Sequence, residues 1–159
     1  MRSNRSFCIR AFLLLTAMLM LHACDPSVVY HHYEHTPKGG WEKNDSIVFD
    51  IPPVKASGTY RTALSLRTNN AYPFMGLSLA VRQTIFPKGE KRKMQVHCPL
   101  IDKNGKANGG GISYYQYEFA INELTLEAGD SVHICVQHNM KREIMPGVTD
   151  VGISLTKQK

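Results

Sequence analysis

Alternation between apolar and polar side chains is the feature that most limits how this chain can fold. Ile47, Phe49 and Ile51 form one such run, which ends at two prolines. Runs of the same period have their apolar residues within 60–68, 77–85, 94–100, 115–119, 132–136 and 151–155. A period of two places successive side chains on opposite faces of a strand, whereas a helix needs a period near 3.6. Turn residues end the runs, so the sequence predicts about eight short strands and almost no helix.

Each of these strands has one apolar face that must be buried. About eight such strands bury their faces as two antiparallel sheets packed against each other. The predicted fold class is therefore all-β, an antiparallel β-sandwich of jelly-roll type. With 159 residues, 43% of them hydrophobic, the chain can form one core but is too short for two ordinary domains. We expect the sandwich domain to span residues 41–159.

The first 23 residues have the features of an export signal. Three arginines precede an apolar stretch at 11–21, which is shorter than the ~20 residues of a membrane span. Leu21 and Ala23 stand three positions and one position before Cys24, as in the lipobox that directs lipid to a cysteine. We therefore predict a signal peptide over 1–23 and a covalent lipid on Cys24. The alternative is an ordinary signal peptide with an incidental cysteine.

Residues 24–40 are polar and contain two prolines and two glycines, with no sustained periodicity. This composition predicts a short tether between the lipidated N-terminus and the domain. Acyl chains then hold the protein to the membrane, each buried CH₂ contributing ~0.8 kcal/mol.

The formal net charge of +6 is concentrated in the signal peptide. After its three arginines are removed, 16 basic residues face 13 acidic ones. Such a mild excess gives no electrostatic footprint for nucleic acid, which we exclude as a partner.

Two cysteines remain once Cys8 leaves with the signal peptide and Cys24 carries lipid. Cys98 shares the apolar face of its strand with Val96, whereas Cys135 points away from the apolar face of Val132, Ile134 and Val136. This parity predicts two unpaired thiols; a disulfide is the alternative.

Candidate chemistry is sparse. His31, His32 and His35 fall in the predicted tether, where flexible backbone would not fix metal ligands. A zinc site built from His133 and Cys135 with His97 and Cys98 is disfavoured, because the latter two are adjacent and point to opposite faces of a strand. Segment 102–105 is predicted to be a turn and not a calcium loop. The twelfth position counted from Asp102 is Ser113, where an EF-hand loop has a glutamate that binds calcium with both oxygens. No motif of a catalytic nucleophile or phosphate loop occurs, so we predict no enzyme, no metal and no cofactor beyond the lipid.

Two surface features have competing explanations. Lys88, Lys91, Arg92 and Lys93 form a basic turn that protects a sheet edge or meets an anionic surface. Several aromatic residues could form a sugar-binding platform, although aromatics in a sandwich usually belong to its core: Trp41, Tyr60, Tyr72, Tyr114, Tyr115 and Tyr117.

The segment 68–74 predicts a partner contact. Asn and Pro set its turn, but its two aromatic residues are not needed for that turn. We name Arg67, Asn69, Asn70 and Tyr72 as the contact residues, since binding sites concentrate on loops carried by a rigid scaffold. The alternative is that the aromatics of this segment cap the open end of the sandwich. In the last strand, outward-facing Gly152 predicts the close approach of another backbone or of a bulky neighbour.

An ordered set of residues resembles the GldH-type gliding-motility lipoproteins of the Bacteroidetes. The matching positions are Cys24, Tyr30, Tyr33, Gly40, Trp41 and the segments 64–74, 102–105, 124–126, 137–140 and 147–153. The resemblance covers most of the chain after the signal peptide. It implies a membrane-anchored, non-enzymatic component of, or accessory to, the gliding apparatus, with other envelope proteins as partners, and it supplies no catalytic residue.

The resemblance also implies an address at the outer membrane. In such bacteria a Lys or Gln followed by an acidic pair, just after the lipid-bearing cysteine, is the signal for export to the cell surface. Residues 25–27 lack this pattern, so we expect the protein at the periplasmic face of the outer membrane. A glycan-binding surface lipoprotein is the alternative function, and an enzyme comes third.

Overall fold

The computed structural model describes residues 27–159, so the predicted signal peptide and Cys24 lie outside the described residues. The described chain forms eleven strands: β1 (Val28–His35), β2 (Trp41–Glu42), β3 (Ile47–Ile51), β4 (Gly58–Asn69), β5 (Gly76–Phe86), β6 (Glu90–Pro99), β7 (Gly110–Gly111), β8 (Tyr114–Leu126), β9 (Ser131–His138), β10 (Ile144–Met145) and β11 (Val148–Lys157).

The strands form two main antiparallel sheets. The five-stranded sheet has the order β1-β11-β4-β8-β7, and the four-stranded sheet has the order β3-β9-β5-β6. When the three two-residue strands are left out, eight strands remain. Their orders are β1-β11-β4-β8 in one sheet and β3-β9-β5-β6 in the other. Counted one to eight along the chain, these orders read first-eighth-third-sixth and second-seventh-fourth-fifth. Two nested Greek keys give this order, which is that of a jelly roll. The predicted all-β sandwich is confirmed.

The apolar faces predicted from the alternation meet between the two sheets. Leu64 and Leu66 of β4, Leu79 and Val81 of β5, and Ile134 of β9 are all fully buried. Cross-strand pairing keeps these faces in register, because every strand pair is antiparallel and side chains alternate with the pleat.

One boundary prediction is wrong. Segment 28–35, assigned to a tether, is the edge strand β1, which pairs with β11 from Val28 to His35. An edge strand is held by backbone hydrogen bonds to one neighbour, so it needs no continuous apolar face. Its side chains are exposed or half-buried throughout, and the apolar alternation that marks the other strands is absent.

Strand β8 changes side-chain parity in its middle. Tyr117 faces the core at an odd position, whereas Leu124 and Leu126 face it at even positions. The register against β4 shifts between Thr62 and Ala63, which pair with Asn122 and Ala120. Ile121 is therefore the extra residue of a β-bulge, and one long strand replaces the two runs seen in the sequence.

The loops of the sandwich gather at two opposite ends. Strand β4 runs towards one end, which we call the loop end; residues 36–46, 70–75, 100–109 and 139–147 lie there. The N-terminal end, where β1 begins, contains residues 52–57, 87–89 and 127–130. Residues before β1 thus join the domain at the end farthest from the loop end.

Candidate functional site

A cleft of about 600 Å³ opens at the loop end. Its walls are formed by residues 35–40, by Asn69 and Ala71, and by residues 146–149. The lining therefore consists of loop residues and of the ends of β1, β4 and β11, three strands that pair with one another. Loops held on a rigid scaffold are the usual position of a binding site.

Close backbone packing fixes one wall of this cleft. The N–H of Asn69 donates to the carbonyl of Gly147 at 2.8 Å. Gly147 has a φ of 78°, and a Cβ there would lie 2.2 Å from the backbone nitrogen of Tyr72. Only glycine permits this conformation and this approach, so the 69–72 and 146–147 segments form one unit.

A row of charged and aromatic side chains runs beside the cleft on the outer face of the five-stranded sheet. The guanidinium carbon of Arg67 lies 4.1 Å from the ring centre of Tyr33, a cation–π contact. His35 Nδ1 lies 2.6 Å from the carboxylate of Asp150, which is itself buried. The ring of Tyr33 lies over Gly152, where a Cβ would be 2.8 Å from two ring carbons. The close approach predicted at Gly152 is therefore observed.

The four predicted contact residues do not form one surface. Asn70 is exposed, whereas Asn69 uses its side-chain oxygen to accept from the Ala71 N–H at 2.9 Å. Arg67 is half-buried on the outer face of β4. Tyr72 is only 9% exposed and donates from its hydroxyl to the Gly76 carbonyl at 2.8 Å.

Tyr72 is therefore wrong as a contact residue. Its ring packs edge-to-face on Phe74 with ring centres 5.8 Å apart, and both contact the core. The aromatics cap the open end of the sandwich, which was the competing explanation. Burial raises the pKa of Tyr72 above its usual range, as expected for a hydroxyl removed from water.

Exposed apolar side chains mark the loop end instead. Ile112 is 90% exposed in the β7–β8 connection, Tyr114 is 63% exposed at the start of β8, and Met75 is 57% exposed in the β4–β5 loop. Sequence reasoning missed Ile112 and Met75, and it named Tyr114 only as part of a sugar-binding platform. The available signal was Ile112 itself, an apolar residue that follows three glycines and belongs to no alternating run.

The aromatic platform for sugars does not form. Trp41, Tyr60, Tyr72 and Tyr117 are buried in the core, and Tyr115 is half-buried. Only Tyr114 of the proposed set presents an exposed ring, and a single ring is not a platform.

The histidines of segment 31–35 are on strand β1 and not on a loop, but they do not converge. The ring of His31 lies 5.2 Å from that of Tyr33, His32 contacts Glu34 at 2.9 Å, and His35 contacts Asp150. Within residues 27–159 no three His, Cys, Asp or Glu side chains are placed to hold a metal ion. In the same residues no helix is long and apolar enough to cross a membrane.

The parity argument for the cysteines is confirmed. Cys98 is fully buried in the core, Cys135 lies on the outer face of β9, and both are free thiols. Burial raises the pKa of Cys98 to about 12.

The basic turn is a hairpin between β5 and β6, and β6 is an edge strand. Lys88 Nζ lies 2.9 Å from Glu127 and 3.2 Å from Asp130, and Arg92 contacts Glu90 at 2.8 Å. Half of the cationic side chains are therefore paired with acids.

Segment 102–105 is a turn, as predicted. The Asp102 carboxylate accepts hydrogen bonds from the backbone N–H groups of Asn104 and Lys106.

These features define a jelly-roll β-sandwich whose loop end, with its cleft and exposed apolar side chains, is the candidate site for binding. The chain belongs to the GldH lipoprotein family, whose model matches residues 28–155. The match covers both sheets, including β1.

Curated relatives agree with this assignment. "Gliding motility lipoprotein GldH" of Flavobacterium johnsoniae is 26% identical, over 92% of this chain and 95% of that protein. A "Gliding motility lipoprotein GldH homolog" of Christiangramia forsetii is 22% identical, over 92% of this chain and 94% of that protein. Among solved structures, a family 35 carbohydrate-binding module from Clostridium thermocellum aligns over 82% of this chain and 93% of its own, with 13% identity. The TM-score of this alignment is 0.40.

Proposed function

We propose that this protein is a non-enzymatic component of, or accessory to, a gliding-motility apparatus. Acyl chains on Cys24 hold it at the periplasmic face of the outer membrane, and the loop end binds a protein partner. Membership of the GldH lipoprotein family supports the motility role, and the names of the two relatives point the same way.

The observation that carries the binding role is the position of the exposed apolar groups. Five large apolar side chains of residues 27–159 are at least 45% exposed; Met75, Ile112, Tyr114 and Ile144 lie at or beside the loop end, and Phe86 lies at the opposite end. Apolar groups rimmed by polar residues are typical of a protein interface. This end is opposite the start of β1, so an N-terminal lipid leaves it free to meet a partner.

A cross-linked pull-down from membranes of gliding cells tests the proposal. The variant N70A with I112S changes two exposed side chains, and K55A changes an exposed side chain at the N-terminal end as the control. We expect the loop-end variant to recover much less of its protein partners while the control recovers them as the unchanged protein does. Equal recovery by all three proteins would contradict the proposal.

The same protein on a glycan array tests the alternative function. Binding to defined glycans that is lost in N70A with I112S would favour a glycan-binding lipoprotein. We expect no such binding, because the aromatic rings that would stack on sugars are buried.

A further inference from the structure

The outer face of the four-stranded sheet carries a chain of three reactive side chains. Asp50 of β3 and His133 of β9 are directly opposite in the register, and Cys135 follows His133 on the same face. The carboxylate of Asp50 lies 2.6 Å from Nδ1 of His133. Nε2 of the same ring lies 3.3 Å from Sγ of Cys135.

This order is that of a nucleophile, a base and a group that orients the base. Because the Asp50 carboxylate accepts a hydrogen bond from Nδ1–H of His133, Nε2 of this ring keeps its lone pair and faces the thiol. His133 can then take the proton of Cys135. Arg82 of β5 is exposed and lies opposite Cys135 in the register of the neighbouring strand, so both residues are on the outer face of this sheet.

Cys135 is also the thiol that solvent can reach. It is half-buried on an outer face, whereas Cys98, the other free cysteine of the described part of the chain, has no exposed surface. The chain belongs to a lipoprotein family, and lipoproteins are exported from the cytosol to compartments in which disulfides persist. A free, partly exposed thiol there will meet disulfides.

The backbone around Cys135 selects the chemistry. Acyl transfer needs N–H donors aimed at an oxyanion. Strand β9 lies between β3 and β5, so its backbone groups are used in ladders on both sides. Exchange with a disulfide needs only the thiolate and access to it.

We propose that Cys135 is a thiol–disulfide exchange site, with His133 as its base and Asp50 as the residue that positions His133. Sγ of Cys135 attacks one sulfur of a substrate disulfide as its proton moves to Nε2. The S–S bond of the substrate breaks, a mixed disulfide forms on Cys135, and the leaving thiolate takes the proton from His133. No net oxidation occurs, and the modification is stoichiometric.

The reaction of the purified full-length protein with 4,4′-dithiodipyridine at pH 7 tests this proposal. The probe is a neutral disulfide, so attraction between charges does not contribute to its rate of reaction. Release of thiopyridone gives the rate, and peptide mass mapping assigns the modified thiol. We expect Cys135 to react at least tenfold faster in the folded protein than in the chain unfolded by guanidinium.

Variants distinguish a rate that depends on His133 as the base from a rate that depends only on the solvent accessibility of Cys135. H133Q should slow the reaction about tenfold and D50N several-fold. H97Q changes an exposed histidine on the same sheet face and should leave the rate unchanged. Rates within twofold of the unchanged protein in H133Q, or slower reaction in the folded chain than in the unfolded one, would overturn the proposal.

Two further substrates identify the source of the disulfide. Oxidised glutathione represents small disulfides and insulin represents protein disulfides, and the product in either case is a mixed disulfide on Cys135. Formation with one of them supports exchange and names its substrate class. Formation with neither rejects the proposal.

Discussion

The side-chain amides of Gln83 and Asn122 donate hydrogen bonds to each other between the two sheets. Gln83 Nε2 lies 3.1 Å from Asn122 Oδ1, and Asn122 Nδ2 lies 2.9 Å from Gln83 Oε1. The hydroxyl of Thr62 also donates to the backbone carbonyl of Asn122 at 2.9 Å. Asn122 follows the bulge of β8, so this polar group fixes the position where side-chain parity changes.

Removing one amide should cost more than removing both. N122A leaves the amide of Gln83, which is 1% exposed, without its main partner, so we expect a loss of about 1–3 kcal/mol in unfolding free energy. Adding Q83M removes the orphaned amide and should restore part of that loss. Denaturant unfolding of the two variants measures both effects. A double variant that is less stable than N122A would contradict this account.

Gly152 should not tolerate a side chain. Its Cβ would lie 2.8 Å from the ring of Tyr33, so G152V must displace that ring and the Arg67 contact, costing about 1–3 kcal/mol. A thermal melt measures the loss. In a Y33A background the same substitution should cost clearly less, because the obstructing ring is gone. Equal costs in both backgrounds would show that Tyr33 is not the cause.

Acidification should destabilise the protein through His138. The pKa of His138 is lowered, mainly by burial, although the hydrogen bond from Nε2 to the Trp41 carbonyl acts in the opposite direction. The folded state therefore binds a proton less readily than the unfolded state, whose histidine titrates near 6.5. Stability is complete above pH 6.5 and falls as the pH drops towards the lower pKa of the folded state.

Melting temperatures between pH 5 and 7.5 measure this dependence. H138Q keeps a donor for the Trp41 carbonyl and cannot be protonated, so its melting temperature should fall less over the same interval. Identical slopes in the two proteins would assign the acid sensitivity to other groups.

Tyr72 and Asn70 should behave oppositely although they are two residues apart. Y72A removes a buried ring and should cost about 3 kcal/mol, by analogy with other buried aromatics. N70A changes an exposed side chain and should leave the melt within about 0.5 kcal/mol of the unchanged protein. A small effect of Y72A would show that the cap at the loop end is dispensable.

C24S should move the protein out of the membrane fraction. Without the thiol no acyl chain can be attached, and residues 27–159 have no helix able to span a membrane. Fractionation of cells followed by a high-salt wash measures the change. Retention of the variant after that wash would contradict lipidation as the means of attachment.

Much of the sandwich could be predicted from side-chain period alone. A strand with one solvent-exposed face alternates polar and apolar residues, and its apolar residues, such as Leu64 and Ile134, are buried in the core. Side-chain period does not predict a strand whose pairing depends on backbone hydrogen bonds and not on a buried face. Strand β1 is held by its backbone, so Tyr33 gave no signal, and the bulge at Ile121 looks in sequence like a break between two strands. At the loop end, residue type could not distinguish a capping ring such as Tyr72 from an exposed one.

The pairing of β1 with β11 sets how far this domain can stand from a membrane. The predicted tether has 16 steps from position 24 to position 40 and would extend up to ~55 Å, whereas the four steps from Cys24 to Val28 extend at most ~14 Å. The twelve residues of β4 then span about 40 Å towards the loop end. With lipid on Cys24, the loop end can lie no farther than about 55 Å from the attachment point, so any partner that binds there must come within that distance of the lipid surface.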